Sequence, residues 1–148
     1  MKTAYEISNK IQSVSLNRFR TNLSHDFLKC DESIAMRGKA AQNLLDYLCD
    51  KFKINRCLVM VRNKPQLHNT SNGKLTKKIY GRYYPLTHTI ELYNLTAIRK
   101  TPVAIATMYD TLLHEFMHHY DFEKLKLSES LHTAGFYKRI TDLKNKLN

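Results

Sequence analysis

From Val103 to Tyr120 the chain carries neither glycine nor proline, and its residues sort onto two interleaved faces that only a helix separates. Ile105, Tyr109, Leu112 and Phe116 recur at spacings of four, three and four, the repeat of a buried stripe. Asp110, His114, His118 and Asp121 run along a second face at four, four and three. A solvated helix face ordinarily carries Lys and Glu, so a line of Asp and His sets this one apart. Thr101-Pro102 predicts the start, with a capping hydroxyl and then proline in the first turn, where its missing N–H is not needed.

Within this helix His114-Glu115-Phe116-Met117-His118 reads H-E-x-x-H. Residues four apart lie one above the other, so His114 and His118 can share one divalent ion, with Glu115 placed to deprotonate a water beside it. A third ligand is expected downstream. Phe136, Ile140, Leu143 and Leu147 form another stripe at four, three and four, and His132 extends it by one turn. Gly135 would let backbones approach closely. Glu129 is the rival ligand, although it sits off the apolar stripe. His119 is turned about 100° from His118 and is a poor ligand, while His68 and His88 have no helical register with the site. Asp121, or alternatively Asp110, is expected to orient a ligand histidine through its second ring nitrogen.

The segment Asp110-Thr-Leu-Leu-His114-Glu-Phe-Met-His118, followed by His132-Thr-Ala-Gly-Phe136, resembles the SprT-like zinc metalloprotease family. Gly81-Arg82 and Thr89-Ile90-Glu91-Leu92 resemble that family's strand before the metal helix. Small bacterial zincins offer an equally good likeness. The resemblance implies a zincin-like fold, zinc held by His114, His118 and His132, and Glu115 as catalytic base. Thr133 stands where the family has glycine after the third histidine, and Gly135 stands at its acidic position. Cys30, Cys49 and Cys57 are scattered and supply no zinc ribbon.

Upstream, Asp31 is expected to cap a helix in which Ile34, Ala41, Leu45, Leu48 and Phe52 trace one face. Cys57 to Val61 reads as a buried strand, Asn63 to Gly73 as a polar loop ending in the turn signal Asn72-Gly73, and Lys74 to Tyr84 and Thr87 to Tyr93 as two strands around Pro85. Ile7, Ile11 and Val14 suggest a short first helix. The expected fold is α+β and zincin-like: N-terminal helices, a small three-stranded sheet, the metal-binding helix and a C-terminal helix. With 148 residues and 43% hydrophobic content, residues 1–148 read as one domain whose motif core spans about 80–143. No apolar run approaches a membrane span, the start lacks the apolar segment of a secretory signal, and three cysteines without C-x-x-C suit a reducing compartment, so a cytoplasmic protein is expected.

The net charge is +11, and from Lys51 through Ile90 there are nine Lys or Arg and no Asp or Glu. Lys74, Lys77, Lys78 and Arg82, interleaved with Tyr80, Tyr83 and Tyr84, could bind DNA or RNA or an acidic protein, or serve only as a solvated face. The expected activity is zinc-dependent hydrolysis of peptide bonds in a protein substrate, with one of the three tyrosines stabilising the oxyanion and the strand Thr89 to Tyr93 pairing with the extended peptide. The alternative is a basic nucleic-acid-binding or regulatory domain whose zinc is structural or catalytically silent.

Overall fold

The computed structural model describes the backbone of residues 1–148 and every side chain except that of Thr76. Two long helices dominate, α3 (Ile34–Phe52) and α4 (Ile105–Glu123), preceded by the short helices α1 (Ala4–Lys10) and α2 (Leu23–Leu28) and followed by α5 (Ala134–Leu147). Between α3 and α4 lie five strands: β1 (Leu58–Pro65), β2 (Leu67–Ser71), β3 (Lys74–Ile79), β4 (Gly81–Tyr84) and β5 (Thr89–Leu95). The chain is α+β, as expected, with more strands than the sequence suggested.

β1, β5 and β4 form a three-stranded sheet in that order. β1 runs parallel to β5, with Leu58 opposite Thr89, and β4 runs antiparallel to it, with Gly81 opposite Leu92. β5 is therefore the central strand, which its nearly continuous burial reflects. Val59, Val61, Ile90 and Leu92 belong to the same core as Leu44, Leu45 and Leu48 of α3 and Leu112, Leu113 and Phe116 of α4. Phe52 locks the two helices together, its ring 4.9 Å from Tyr120 and 6.2 Å from Phe116.

Asn63 to Gly73 is not a loop. β1 runs on to Pro65, and β2 pairs with β3 as a separate ribbon closed by Asn72 (φ 52°) and Gly73 (φ 75°), both left-handed as a tight hairpin turn requires. The ribbon's residues are largely exposed, so no alternation of apolar and polar residues marks it.

Two helix starts differ from expectation. Ser33, not Asp31, caps α3, its Oγ accepting from Met36 N at 3.3 Å, while Asp31 accepts from Ser33 N at 2.8 Å. α4 begins at Ile105 after Ala104, because Thr101 to Val103 is tied to the end of β5: Thr96 N donates to Thr101 O at 2.7 Å and Val103 N to Asn94 O at 2.7 Å. Of the first-helix residues, Ile7 lies within α1, Ile11 is its C-cap and Val14 is buried beyond it.

Candidate metal centre

α4 packs against β4 and β5, and α5 packs against α4. His114 and His118 project from one face of α4, as their spacing requires. His132 lies one residue before Thr133, whose Oγ1 caps α5 by accepting from Phe136 N at 3.0 Å. The third histidine is thus held by the entry to α5 and not, as its register suggested, by a further helical turn. Its Nε2 lies 3.2 Å from His114 Nε2 and 3.1 Å from His118 Nε2.

Three imidazole nitrogens meeting in this way have no satisfactory arrangement of protons, since one ring N–H cannot donate to both neighbours. A cation resolves the conflict. Two nitrogens bound at about 2.0–2.1 Å in tetrahedral geometry lie about 3.3 Å apart, close to the observed separations. The three residues present therefore fit a divalent ion of zinc type. Phe136, fully buried, floors the cluster with its ring 5.1, 4.7 and 5.2 Å from those of His114, His118 and His132. Burial drives the free imidazoles of His114 and His118 down to about 4 and about 3, and neighbouring histidines add to the shift. Both rings are consequently neutral, the form a metal needs, well below neutral pH.

His118 is oriented by a relay absent from any sequence motif. Ser130 Oγ donates to Asp121 Oδ2 at 2.8 Å, so His118 Nδ1, 2.7 Å from Ser130 Oγ, must carry the proton and donate to it, leaving Nε2 free. Asp121 is the expected orienting carboxylate, but it acts through Ser130. Its other oxygen accepts from Arg139 at 2.8 Å, with both side chains fully buried. Burial raises the Asp121 carboxyl, and Arg139 and Ser130 oppose that shift. The guanidinium also donates to Ser8 O (2.7 Å), Ile11 O (2.6 Å) and Ser8 Oγ (3.0 Å), which ties α1 to α4 through Asp121. One signal marked Arg139 in advance: it falls three residues after Phe136 and four before Leu143, a cation on an apolar stripe.

Gly135 does permit a close approach, but to α1, since a Cβ there would collide with Ser8 O. Asp110 does not reach a ligand histidine; it is exposed and holds Lys144 Nζ at 2.7 Å. Glu129 is exposed and outside the cluster. His119, as expected, points away: Nε2 donates to Asn55 O at 2.6 Å and Nδ1 meets Tyr83 Oη at 2.8 Å. Cys49 and Cys57 stand near it, all three ligand atoms within 4.8 Å, but both ring nitrogens of His119 are already engaged. His88 lies 3.6 Å from Glu123, and His68 is exposed on β2.

Comparison with known protein families, curated proteins and solved structures finds no match for this chain.

Glu115 is buried on the face of α4 beside His114, and burial pushes its carboxyl up to about 7. Two cavities meet at Glu115 and His118. One, about 580 Å³, extends toward Lys77, Lys78, Tyr80 and Thr107; the other, about 490 Å³, extends toward Tyr83, Tyr84, Pro85 and Phe122. Ile79 and Gly81 line both, so the groove follows β4. A Cβ on Gly81 would sit 2.9 Å from Thr111 Cγ2 and 2.9 Å from Glu91 O, so only glycine lets β4 lie this close to α4. β5, expected to receive a peptide, is paired on both sides; the outer strands are β1 and β4, and β4 is the one that lines the groove.

The basic residues divide. Lys77 and Lys78 line the larger cavity, Lys74 stands at the hairpin turn opposite Ser71, and Arg82 pairs across from Glu91. Among the tyrosines, Tyr83 is committed to His119 and stacks on Phe122 at 6.2 Å, and Tyr84 Oη donates to Glu91 at 3.5 Å. Tyr80 lines the cavity, and its hydroxyl has no hydrogen-bond partner among the described residues.

Proposed function

We propose that this chain is a zinc-dependent metallopeptidase of zincin type, allied to the SprT-like family and working in the cytoplasm. The observation that carries the reading is the convergence of three Nε2 atoms at 3.1 and 3.2 Å beside a buried glutamate, in a groove that follows a free strand edge. His114, His118 and His132 would hold the ion, and three protein ligands leave one position open, the mark of a catalytic centre. Bound there, zinc supplies Lewis acidity, polarising the scissile carbonyl and acidifying water to a pKa of about 7.

The remaining work falls to the chain. Glu115 accepts the proton of the attacking water and returns it to the leaving amine; a carboxyl at about 7 exchanges protons readily near neutrality. An extended peptide adds to the edge of β4, which fixes the scissile bond over Glu115 through backbone hydrogen bonds. Tyr80, its hydroxyl uncommitted, is placed to donate to the oxygen that gains charge. Ser130 and Asp121 hold His118 in the tautomer that presents Nε2.

Metal analysis of protein purified without added zinc, combined with hydrolysis of an unfolded protein substrate, tests this reading. Wild type should carry one zinc per chain and cleave. Glu115→Gln, nearly isosteric, should keep the metal and lose cleavage. Equal hydrolysis by both proteins, or wild type without metal, would refute it.

A further inference from the structure

The two arms of the groove differ in chemistry. On the Gly81 side of the metal cluster, Lys77 and Lys78 enter from the β3 end of the hairpin. The carboxylates near them are already used: Asp110 is paired with Lys144 at 2.7 Å, and Glu115 belongs to the reaction. Two exposed lysines therefore set the charge of this arm. On the Tyr84 side the walls are Tyr83, Tyr84, Pro85 and Phe122, with the rings of Tyr83 and Phe122 stacked 23° from parallel. Stacked rings with a proline beside them receive flat or bulky apolar groups.

β4 runs from the lysine arm to the aromatic arm, since Tyr80 just before it lines only the first and Tyr84 and Pro85 only the second. Antiparallel pairing is the more stable way to add a strand. A peptide added in that sense runs from the aromatic arm to the lysine arm in its own N-to-C direction. Resting on the peptidase reading of the same site, we propose that the substrate is an extended peptide segment with an aromatic or large apolar residue before the scissile bond and acidic residues after it. A nucleic acid fits less well. Its phosphates would need cations in a continuous track, whereas Lys77 and Lys78 lie in the cleft and Arg82 stands across from Glu91, which already holds Arg62 at 3.0 Å.

Binding is measured apart from cleavage, by fluorescence anisotropy of labelled nonapeptides on zinc-loaded Glu115→Gln protein at low salt. The probes are a peptide with two aromatic residues, a central alanine and two glutamates in N-to-C order; its reverse; and a version with lysines in place of the glutamates. The first should bind at least fivefold more tightly than either of the others. Lys77→Glu combined with Lys78→Glu should invert the preference for glutamate over lysine, and Phe122→Ala should weaken all aromatic-bearing peptides alike. Equal binding of the three peptides, preference for the reversed order, or unchanged preference in the double-lysine variant would overturn the proposal. So would a single-stranded oligonucleotide that displaces the acidic peptide and binds more tightly. Correct peptide preference with no cleavage by wild type would count against the peptidase alone.

Discussion

Arg139→Met should be among the most damaging single changes in the molecule, although residue 139 makes no hydrogen bond to any of the three clustered histidines. The guanidinium is fully buried and makes four hydrogen bonds, to Asp121 Oδ1, Ser8 O, Ser8 Oγ and Ile11 O, at 2.6–3.0 Å. Methionine fills much of the volume and makes none of them. Removing one partner of a buried ion pair costs about 3–5 kcal/mol because the other charge is left unpaired. The stranded carbonyls of Ser8 and Ile11 add about 1 kcal/mol or more each if water cannot reach them. A total near 5 kcal/mol is a large share of the roughly 5–15 kcal/mol that holds a domain folded. With a urea slope of about 2 kcal/mol per molar, the unfolding midpoint in chelator should fall by about 2.5 M. Adding Asp121→Leu removes the unpaired charge and should restore part of that stability. It should not restore metal affinity, because Ser130 then has no acceptor to hold its hydroxyl toward His118. Loss of such an orienting partner lowers metal affinity about 10–100-fold, readable by competition with a chromogenic chelator. A midpoint shift below 0.5 M for the single variant, or wild-type zinc affinity in the double variant, would refute the linkage between Arg139 and the metal cluster.

Other outcomes follow from the same geometry. His132→Ala should lose bound zinc, whereas Glu129→Ala and His88→Ala should retain it, as read by metal content after gel filtration; retention in the His132 variant would remove the three-histidine centre. Ser130→Ala should weaken zinc binding about tenfold with little change in fold, measured by chelator competition and circular dichroism. Without metal, Glu115 has a folded pKa of about 7 against an ordinary 4.5, so its contribution is fully present at low pH and is lost as pH rises through 7. At about 1.4 kcal/mol per pH unit, wild type should lose about 3 kcal/mol relative to Glu115→Gln between pH 4 and 8 in chelator. His114 and His118 act oppositely, losing stability as pH falls from 6.5 toward 4 and 3, and the comparison between the two proteins cancels them. In an oligonucleotide titration, neutralising Lys74, Lys77, Lys78 and Arg82 should flatten the plot of log affinity against log salt by no more than about 1.4, the worth of two phosphates on a single strand. A loss of about three would place all four on one strand.

The parts of this protein that were legible in its sequence are those built by local repetition. His114 and His118 follow from helical spacing, and the stripes of α3, α4 and α5 face the core as their periods predicted, with Ile34, Ile105 and Ile140 only partly buried. His132 was found through the stripe of α5, yet what places it is the cap just before that helix. The β2–β3 ribbon was missed because a strand pair exposed over most of its surface needs no alternating pattern; only its Asn72-Gly73 turn showed. The assignment of a peptide to β5 failed on strand order, which is a tertiary property. Burial of Ile90, Leu92, Tyr93 and Asn94 on both faces was the sign of a central strand. Ser130 carried no signal, and Arg139 showed only as a cation on an apolar stripe, for the same reason: their partners, His118 and Ser8, lie 12 and 131 positions away.

That separation of 131 positions has a kinetic meaning. Ser8 leaves the ribosome 131 positions ahead of the guanidinium it must meet. Closing so long a loop is entropically slow compared with winding α4. A chain released before residue 139 can wind the H-E-x-x-H helix and still lack the brace that aims His118. The histidine cluster is therefore expected to order only after residue 139 has emerged, later than the helix that carries two of its members.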